Sequence, residues 1–582
     1  MGWLLLTLPL CFEVKAAEPA SAAGASPRDR QPVALAFSPD GSRLFVANSR
    51  SGGLSVVDPA SRRLLAEVDL GRGLSDVAVH PDGVHLLALD RPGDALLWLE
   101  VAGDAIKVVV SHKVAVDPVS IAVSADGKTA AVASQRSRTL TLLNLGADPA
   151  SPWSIRKALD LPFSPHKLAM LKDGSRVVAA DGLGGKLAVV DARNATLDAV
   201  RTIPAHNIRG LAFSPDGQML AVSHQTIHGR FKADFEDIHW GRLLTNHVRM
   251  LRVDALTTPG TDADLLRGSR LTDVGSSSMG AGDPAGLAFD GRGGIALAVA
   301  GVDELALSAK ASGYWKRIPV GRRPLAVALD PSGKFAYVAE TLDDALSVVD
   351  TTTGLWLGRI SLGARPPLDL VGQGERLFFD AKLSHDGWMS CQTCHAEGQT
   401  NGLVVDTLGD GSFGAPKRTP SLIGVGATGP WAWTGSFAKL EDQVRKSVET
   451  TMRGRSPSDD KVAALTAYLR SLEPTQPATR VAASDADAIT RGRQVFQTQR
   501  CNDCHAGSSY TSAGRFDVGL VDEVGNQRFN PPSLRGVGER SPLLHDGRAK
   551  GLEEVFSQHK HPADTELSAE EVKNLAAFLK TL

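Results

Sequence analysis

From Pro32 to about Gly363 the chain alternates apolar and polar residues in short runs, and the runs repeat. Each copy opens on an apolar strand followed by a turn built on Asp-Gly or a close variant. The first reads Val33-Ala34-Leu35-Ala36-Phe37-Ser38-Pro39-Asp40-Gly41, and others start at Val77, Ile121, Leu168, Leu211, Leu287 and Val327, seven in all. Alternation with period two buries one face of each strand, and Asp-Gly supplies the positive φ that a tight hairpin requires. Most copies stand about 40–47 residues apart, the length of one four-stranded propeller blade. The prediction is an all-β seven-bladed propeller over 32–363, closed on itself so that few sheet edges stay open.

The fifth copy breaks the rhythm. Its second strand is expected to end near His224 and to run into an insert of roughly thirty residues before the next begins near Val248, and a loop that long is usually functional or disordered. The stretch carries His224, His228, His239 and His247 with Asp234, Glu236, Asp237 and Trp240. It reads as a flap reaching the second half of the chain; a weak metal site and a polar surface loop are the alternatives. The histidine spacings match no standard metal template.

Past Arg365-Pro366-Pro367 the pattern becomes helical. A helix is predicted over 459–472, and an amphipathic one over 568–582, with Ser568 as N-cap and Glu570 and Glu571 in its first turn. Within this half lie Cys391-Gln392-Thr393-Cys394-His395 and Cys501-Asn502-Asp503-Cys504-His505. Both read C-x-x-C-H, the spacing of covalent c-type haem attachment. Two thiols on one helical turn can add to the two vinyl groups of a haem, and the following histidine becomes the proximal iron ligand. A four-cysteine zinc site keeps its pairs about 15–20 residues apart. A redox dithiol gives no reason for a histidine at the fifth position twice. The prediction is two mainly α c-type cytochrome domains, 373–472 for haem 1 and 485–582 for haem 2, joined through the Pro-containing stretch Glu473 to Pro477.

Composition narrows the partners. With 63 basic and 65 acidic residues and no block of like charge, nucleic acid is not an expected partner. Four of five cysteines belong to the haem motifs, and Cys11 lies in an apolar run from Trp3 to Phe12. That run is too short to span a bilayer and resembles a signal-peptide core, so residues 1–22 are read as a signal peptide cleaved after Ala16 or Ala22. No integral membrane span is expected in the mature chain. Covalent haem also argues for export, and the expected address is the periplasm.

Two resemblances follow from these phrases. Leu44-Phe45-Val46-Ala47-Asn48 and Phe335-Ala336-Tyr337-Val338-Ala339-Glu340 resemble the YVTN-type propeller repeat. The second half resembles the di-haem family of bacterial cytochrome c peroxidase and MauG. The matching phrases are Leu377-Phe378-Phe379-Asp380, Leu383-Ser384, both haem motifs, Thr419-Pro420-Ser421-Leu422, Trp433-Thr434-Gly435 and Leu544-His545-Asp546-Gly547-Arg548. The resemblance implies two covalently bound haem c groups, haem 1 reacting with hydrogen peroxide or oxygen and haem 2 transferring electrons with a small redox protein. It also implies a tryptophan between them, matched by Trp433.

The departures from the family are specific. No histidine occurs between His395 and His505, so a distal histidine of that segment is missing. The family's catalytic Glu precedes a Met; here the pair is Thr451-Met452, with Glu449 three positions before Met452 as the substitute and Met452 itself a candidate axial ligand. For haem 2, His559 stands where the peroxidases use Met and MauG uses Tyr, with His561 competing. Relatives bind calcium between the haem modules, but Thr419 and Arg540 replace the family's Asn and Thr, which disfavours it. The leading functional reading is an exported di-haem oxidoreductase whose propeller docks a partner or shapes a substrate site. The alternatives are a non-catalytic di-haem electron carrier, and a propeller-based oxidoreductase using His239 and His247 that passes electrons to the haems.

Overall fold

The computed structural model describes residues 27–146, 153–258, 260–309, 313–474, 485–562 and 566–582; the expected signal peptide and Cys11 lie outside them. Seven antiparallel four-stranded sheets follow one another from Pro32 to Ser361, each in simple up-and-down order. The first strand of each blade packs against the first strand of the next, and that of blade seven, Pro324–Leu329, against that of blade one, Pro32–Phe37. The seven-bladed propeller is therefore closed. Asp344 helps shut the ring by accepting from the backbone N–H groups of Arg30 and Gln31, each at 2.9 Å.

Middle strands such as Leu44–Asn48 are buried along their whole length, because neighbouring blades cover both faces. Six of the seven turns place glycine at positive φ where the repeat puts it. In blade six the turn is longer, and Gly293 rather than Gly291 takes that conformation, at φ 84°.

Blade five departs from expectation in its strand lengths. Met219–Ile227 and Leu244–Arg252 pair residue for residue, so His224 and His247 lie opposite each other inside the hairpin. The irregular segment shrinks to 228–243 and contains one short helix, Phe235–His239, capped by Asp234. Two further helices, Val253–Thr257 and Asp262–Arg267, precede the blade's last strand.

The second half contains two copies of one helical design. Helix Leu370–Phe378 crosses helix Asp459–Arg470, and helix Ala486–Thr498 crosses helix Ala569–Leu579. Both crossings require glycine: a Cβ on Gly374 would lie 1.9 Å from the Ala464 carbonyl oxygen, and one on Gly492 1.9 Å from that of Asn574. Ser568 caps the last helix in a reciprocal capping box with Glu571.

Candidate functional site

The first C-x-x-C-H forms a single helical turn, Cys391–Cys394, that inserts into the axial face of the propeller. Thr393 is fully buried there. Its hydroxyl donates to Asp283 Oδ1 at 2.9 Å, and its carbonyl accepts from Asn207 Nδ2 at 2.8 Å. Asp283 also accepts from the Ser390 hydroxyl. Burial raises the Asp283 carboxyl above its ordinary range, while those two hydroxyls pull it down.

A positional rule underlies this grip. At one repeat position, just before or at the start of the inner strand, several blades carry a left-handed φ: Gln31, Asp117, Asn207, Asp283 and Arg323. Register shifts mark the start of these strands, and such bulges re-aim the local side chains. Gln31 donates to Glu375 at 3.1 Å, and Arg323 lies 3.3 Å over the Phe379 ring. Asp117 accepts at 2.6 Å from Arg91, which also reaches Glu397 at 3.4 Å. Arg209 donates to Glu397 at 2.8 Å. Burial alone would raise the Glu397 carboxyl, but Arg91, Arg209, His166 and Arg323 overcome this and hold it well below its usual range.

Beside the attachment turn a cavity is lined by Cys391, Cys394, His395, Trp433, Lys446 and Met452 among others. His395 Nδ1 donates to the Pro420 carbonyl at 2.9 Å, which leaves Nε2 as the free nitrogen, and burial pushes the imidazole down to about 4. A neutral imidazole with a fixed tautomer suits iron ligation. Arg418 and Arg540 line the same cavity, both pushed down to about 10 chiefly by burial. Two guanidinium groups pressed together out of water call for anions between them, as haem propionates would supply. The residues present fit a haem.

The far wall of this cavity carries groups the sequence reading passed over. Helix Leu440–Lys446 runs into a π-helical turn, Ser447–Thr451, a rare element often found at functional sites. Gln443 lines the cavity with its Oε1 buried and unpartnered, while Nε2 donates to Ser447. Lys446 donates to the Thr407 carbonyl at 2.7 Å, and burial pushes its ammonium down to about 8. Met452, 4% exposed, closes the wall. Glu449 lies within the π turn but is not among the residues lining the cavity. The wide turn displaces the register that spacing alone assigned.

Trp433 sits at the junction of the two modules. Its indole donates to the Arg418 carbonyl at 2.7 Å, its own carbonyl accepts from Asn530 at 2.8 Å, and its ring meets His545 edge-on at 6.4 Å. His545 is buried and stacked on Phe529.

Around the second attachment site, Cys501 to His505, the described residues show no such grip from the propeller; Arg136 and Arg138 reach that module at Glu539. His505 Nδ1 faces the Tyr510 carbonyl at 3.2 Å. The His561 ring stands edge-on to it with centroids 6.5 Å apart. One iron between two imidazoles at Fe–N distances of about 2 Å needs roughly that centroid separation. Burial, with His505 adding to it, pushes His561 down to about 4. His559, the first choice from spacing, has a buried, unpartnered Nε2 and no ring contact with His505.

Residues 369–491 match the sequence profile of the di-haem cytochrome c peroxidase family, and residues 197–228 that of the WD domain, G-beta repeat. The methylamine utilization protein MauG of Methylorubrum extorquens is 28% identical over 274 residues, 36% of this chain and 77% of that protein. Hydrazine synthase subunit gamma of Kuenenia stuttgartiensis is 26% identical over 37% of this chain and 78% of its own length. Cytochrome c551 peroxidase of Nitrosomonas europaea is 26% identical over 37% of this chain and 80% of its own length. The C-terminal part of the chain is thus a di-haem c-type oxidoreductase module of cytochrome c peroxidase/MauG type, set behind a seven-bladed propeller.

Proposed function

We propose that the chain is an exported, periplasmic di-haem enzyme that reacts with hydrogen peroxide at the His395 site and exchanges electrons with a small redox protein through the His505 site. One observation carries this reading: His505 faces a second imidazole, whereas no second histidine lines the His395 cavity. When bound, the two haems supply a peroxide-reactive iron and an electron-transfer iron.

The chain's own residues divide the remaining work. Cys391 and Cys394 would hold haem 1 and His395 its iron; Cys501, Cys504, His505 and His561 would do the same for haem 2. Lys446 holds the proton that O–O cleavage needs, at Nζ, in the role the family gives to a glutamate; an amine pushed to about 8 keeps that proton at neutral pH and gives it up readily. Gln443 orients the bound oxidant through its free Oε1. Trp433, hydrogen-bonded to both modules, holds them in register and offers an aromatic path between them. Thr419 and Arg540 replace the Asn and Thr that the resemblance associates with calcium, and the Arg540 charge disfavours a dication there.

The propeller and the haem modules together line a second cavity of about 1000 Å³, with Arg91, Arg136, Arg138, Glu397 and Arg540 among its charged residues. Arg540 belongs to both cavities, so this cleft opens toward the reactive side and forms the wall of a substrate or partner site.

Peroxide turnover with a reduced cytochrome or dye donor tests the reading, together with electron paramagnetic resonance of the oxidised protein. A high-spin signal beside a low-spin one, and turnover, support it. Two low-spin signals, no cyanide binding and no turnover would instead favour the electron-carrier reading, with Met452 ligating haem 1 from the cavity wall it already occupies.

A further inference from the structure

The docking of the blade-five segment onto the first haem module brings together three ligand atoms from two parts of the fold. His239 ends the short helix Phe235–His239 of the propeller insert. His385 and Asp386 form the turn that leads into the first attachment site. His239 Nδ1 lies 2.7 Å from Asp386 Oδ2, His385 Nε2 lies 3.2 Å from the same oxygen, and the two ring nitrogens are 3.3 Å apart. Four ligands placed tetrahedrally about zinc at 2.0–2.1 Å stand about 3.3 Å from one another. Two of the three edges match that spacing, and the third is a hydrogen bond that a metal would open by a few tenths of an ångström.

The surroundings favour a built site. Asp386 holds a left-handed φ of 56°, fixed by its carbonyl accepting from Gly280 N–H at 2.7 Å. The Phe235 ring stacks parallel to His239 at 5.9 Å and lies 4.5 Å from His385, and Trp240 meets His239 edge-on at 4.9 Å. These rings fix both imidazole planes while leaving the side chains of His239, His385 and Asp386 24%, 24% and 17% exposed. An ion can therefore enter, and a fourth position stays open to water. We propose that His239, His385 and Asp386 bind one divalent first-row transition ion of the zinc type, clamping the propeller insert to the haem 1 module. Two imidazoles and one carboxylate suit that class and not calcium or magnesium.

The clamp borders the reactive cavity, because the His385 N–H donates to the Met452 carbonyl at 2.9 Å. It does not depend on which reaction the haems perform.

The test uses untagged, haem-loaded full chain stripped with a chelator, titrated with Zn²⁺ by calorimetry, with metal content read by mass spectrometry. One equivalent is expected to bind at micromolar or tighter affinity and to raise the unfolding midpoint, since ligands from both parts meet only in the docked fold. His239→Gln and Asp386→Asn should each weaken that equivalent at least tenfold to a hundredfold. His239 lies on the insert, so its substitution spares the haem module, and equal haem content of the variant checks this. A parallel titration of His85→Ala separates any ion held by the His80, Asp82 and His85 cluster. Absence of an equivalent, or one that survives His239→Gln unchanged, would overturn the proposal and leave a hydrogen-bonded triad.

Discussion

The two haem modules share one frame and differ in what surrounds it. Each has a crossing helix pair locked at a glycine, a 3-10 turn (Val425–Ala427 and Val537–Glu539), and a short bridge (Trp431 with Phe437, Leu543 with Ala549). A helix follows, Leu440–Lys446 in one and Leu552–Ser557 in the other. After that helix they part. Module one continues into a π turn that brings Lys446 and Met452 to its cavity, whereas module two turns back to set His561 before His505. Module one is also gripped at its attachment turn by propeller side chains, whereas among the described residues the propeller's hydrogen bonds to module two meet it at Glu539. A repeated fold thus acquires two different surroundings for its C-x-x-C-H turns from a few residues beyond the shared core.

The sharpest way to break this contrast is at the sixth ligand of haem 2. His561→Ala should convert that haem from low to high spin in the paramagnetic resonance spectrum, and His559→Ala should leave it unchanged. The reverse result would restore the assignment by spacing. Lys446→Met should lower peroxide turnover about 10²–10⁴-fold, the usual worth of a positioned proton donor. In the unaltered protein, turnover should fall as the pH rises through about 8, where Lys446 loses its proton, and the variant should lack that limb. A pH profile unchanged by the substitution would remove Lys446 from the mechanism.

Stability tests follow at smaller scale. Glu397→Gln leaves Arg209 without its carboxylate and Arg91 with Asp117 alone, and should cost about 2–3 kcal/mol in denaturant unfolding, a buried-pair loss reduced for partial exposure. Because the folded carboxyl is held below its unfolded value, this contribution is complete above the unfolded carboxyl range and is lost as the pH falls through the depressed one. Asp283→Ala should cost about 1–3 kcal/mol by stranding the Thr393 and Ser390 hydroxyls. Arg136→Ala, at the contact with module two, should cost about 1 kcal/mol, because Arg138 still donates to the Glu539 carbonyl there. Equal losses at Asp283 and Arg136 would erase the distinction between a gripped module and a touched one.

Much of this was legible in order along the chain. The repeat announced the propeller because every blade must bury the same strand faces, and C-x-x-C-H announced the attachment sites because the chemistry dictates the spacing. Trp433 bonds to Arg418 in its own module and to Asn530 in the other. The far wall was not legible: a π turn shifts side chains without changing composition, so spacing nominated Glu449 and passed over Lys446. His561 and His559 are two residues apart, and only the path of the chain decides which ring meets His505. The grip did leave a trace. Gln31, Asp117, Asn207, Asp283 and Arg323 occupy one repeat position, polar residues before apolar strands, and that periodicity could have marked the docking face.

The burial of Thr393 sets an order of manufacture. With its hydroxyl and carbonyl enclosed by Asp283 and Asn207, the turn bearing Cys391 and Cys394 is closed to any attachment machinery once the propeller has seated on it. A haem joined at Cys391 and Cys394 would have to arrive before these contacts close around the turn. The turn Cys501–Asp503 holds no buried residue and meets no such constraint.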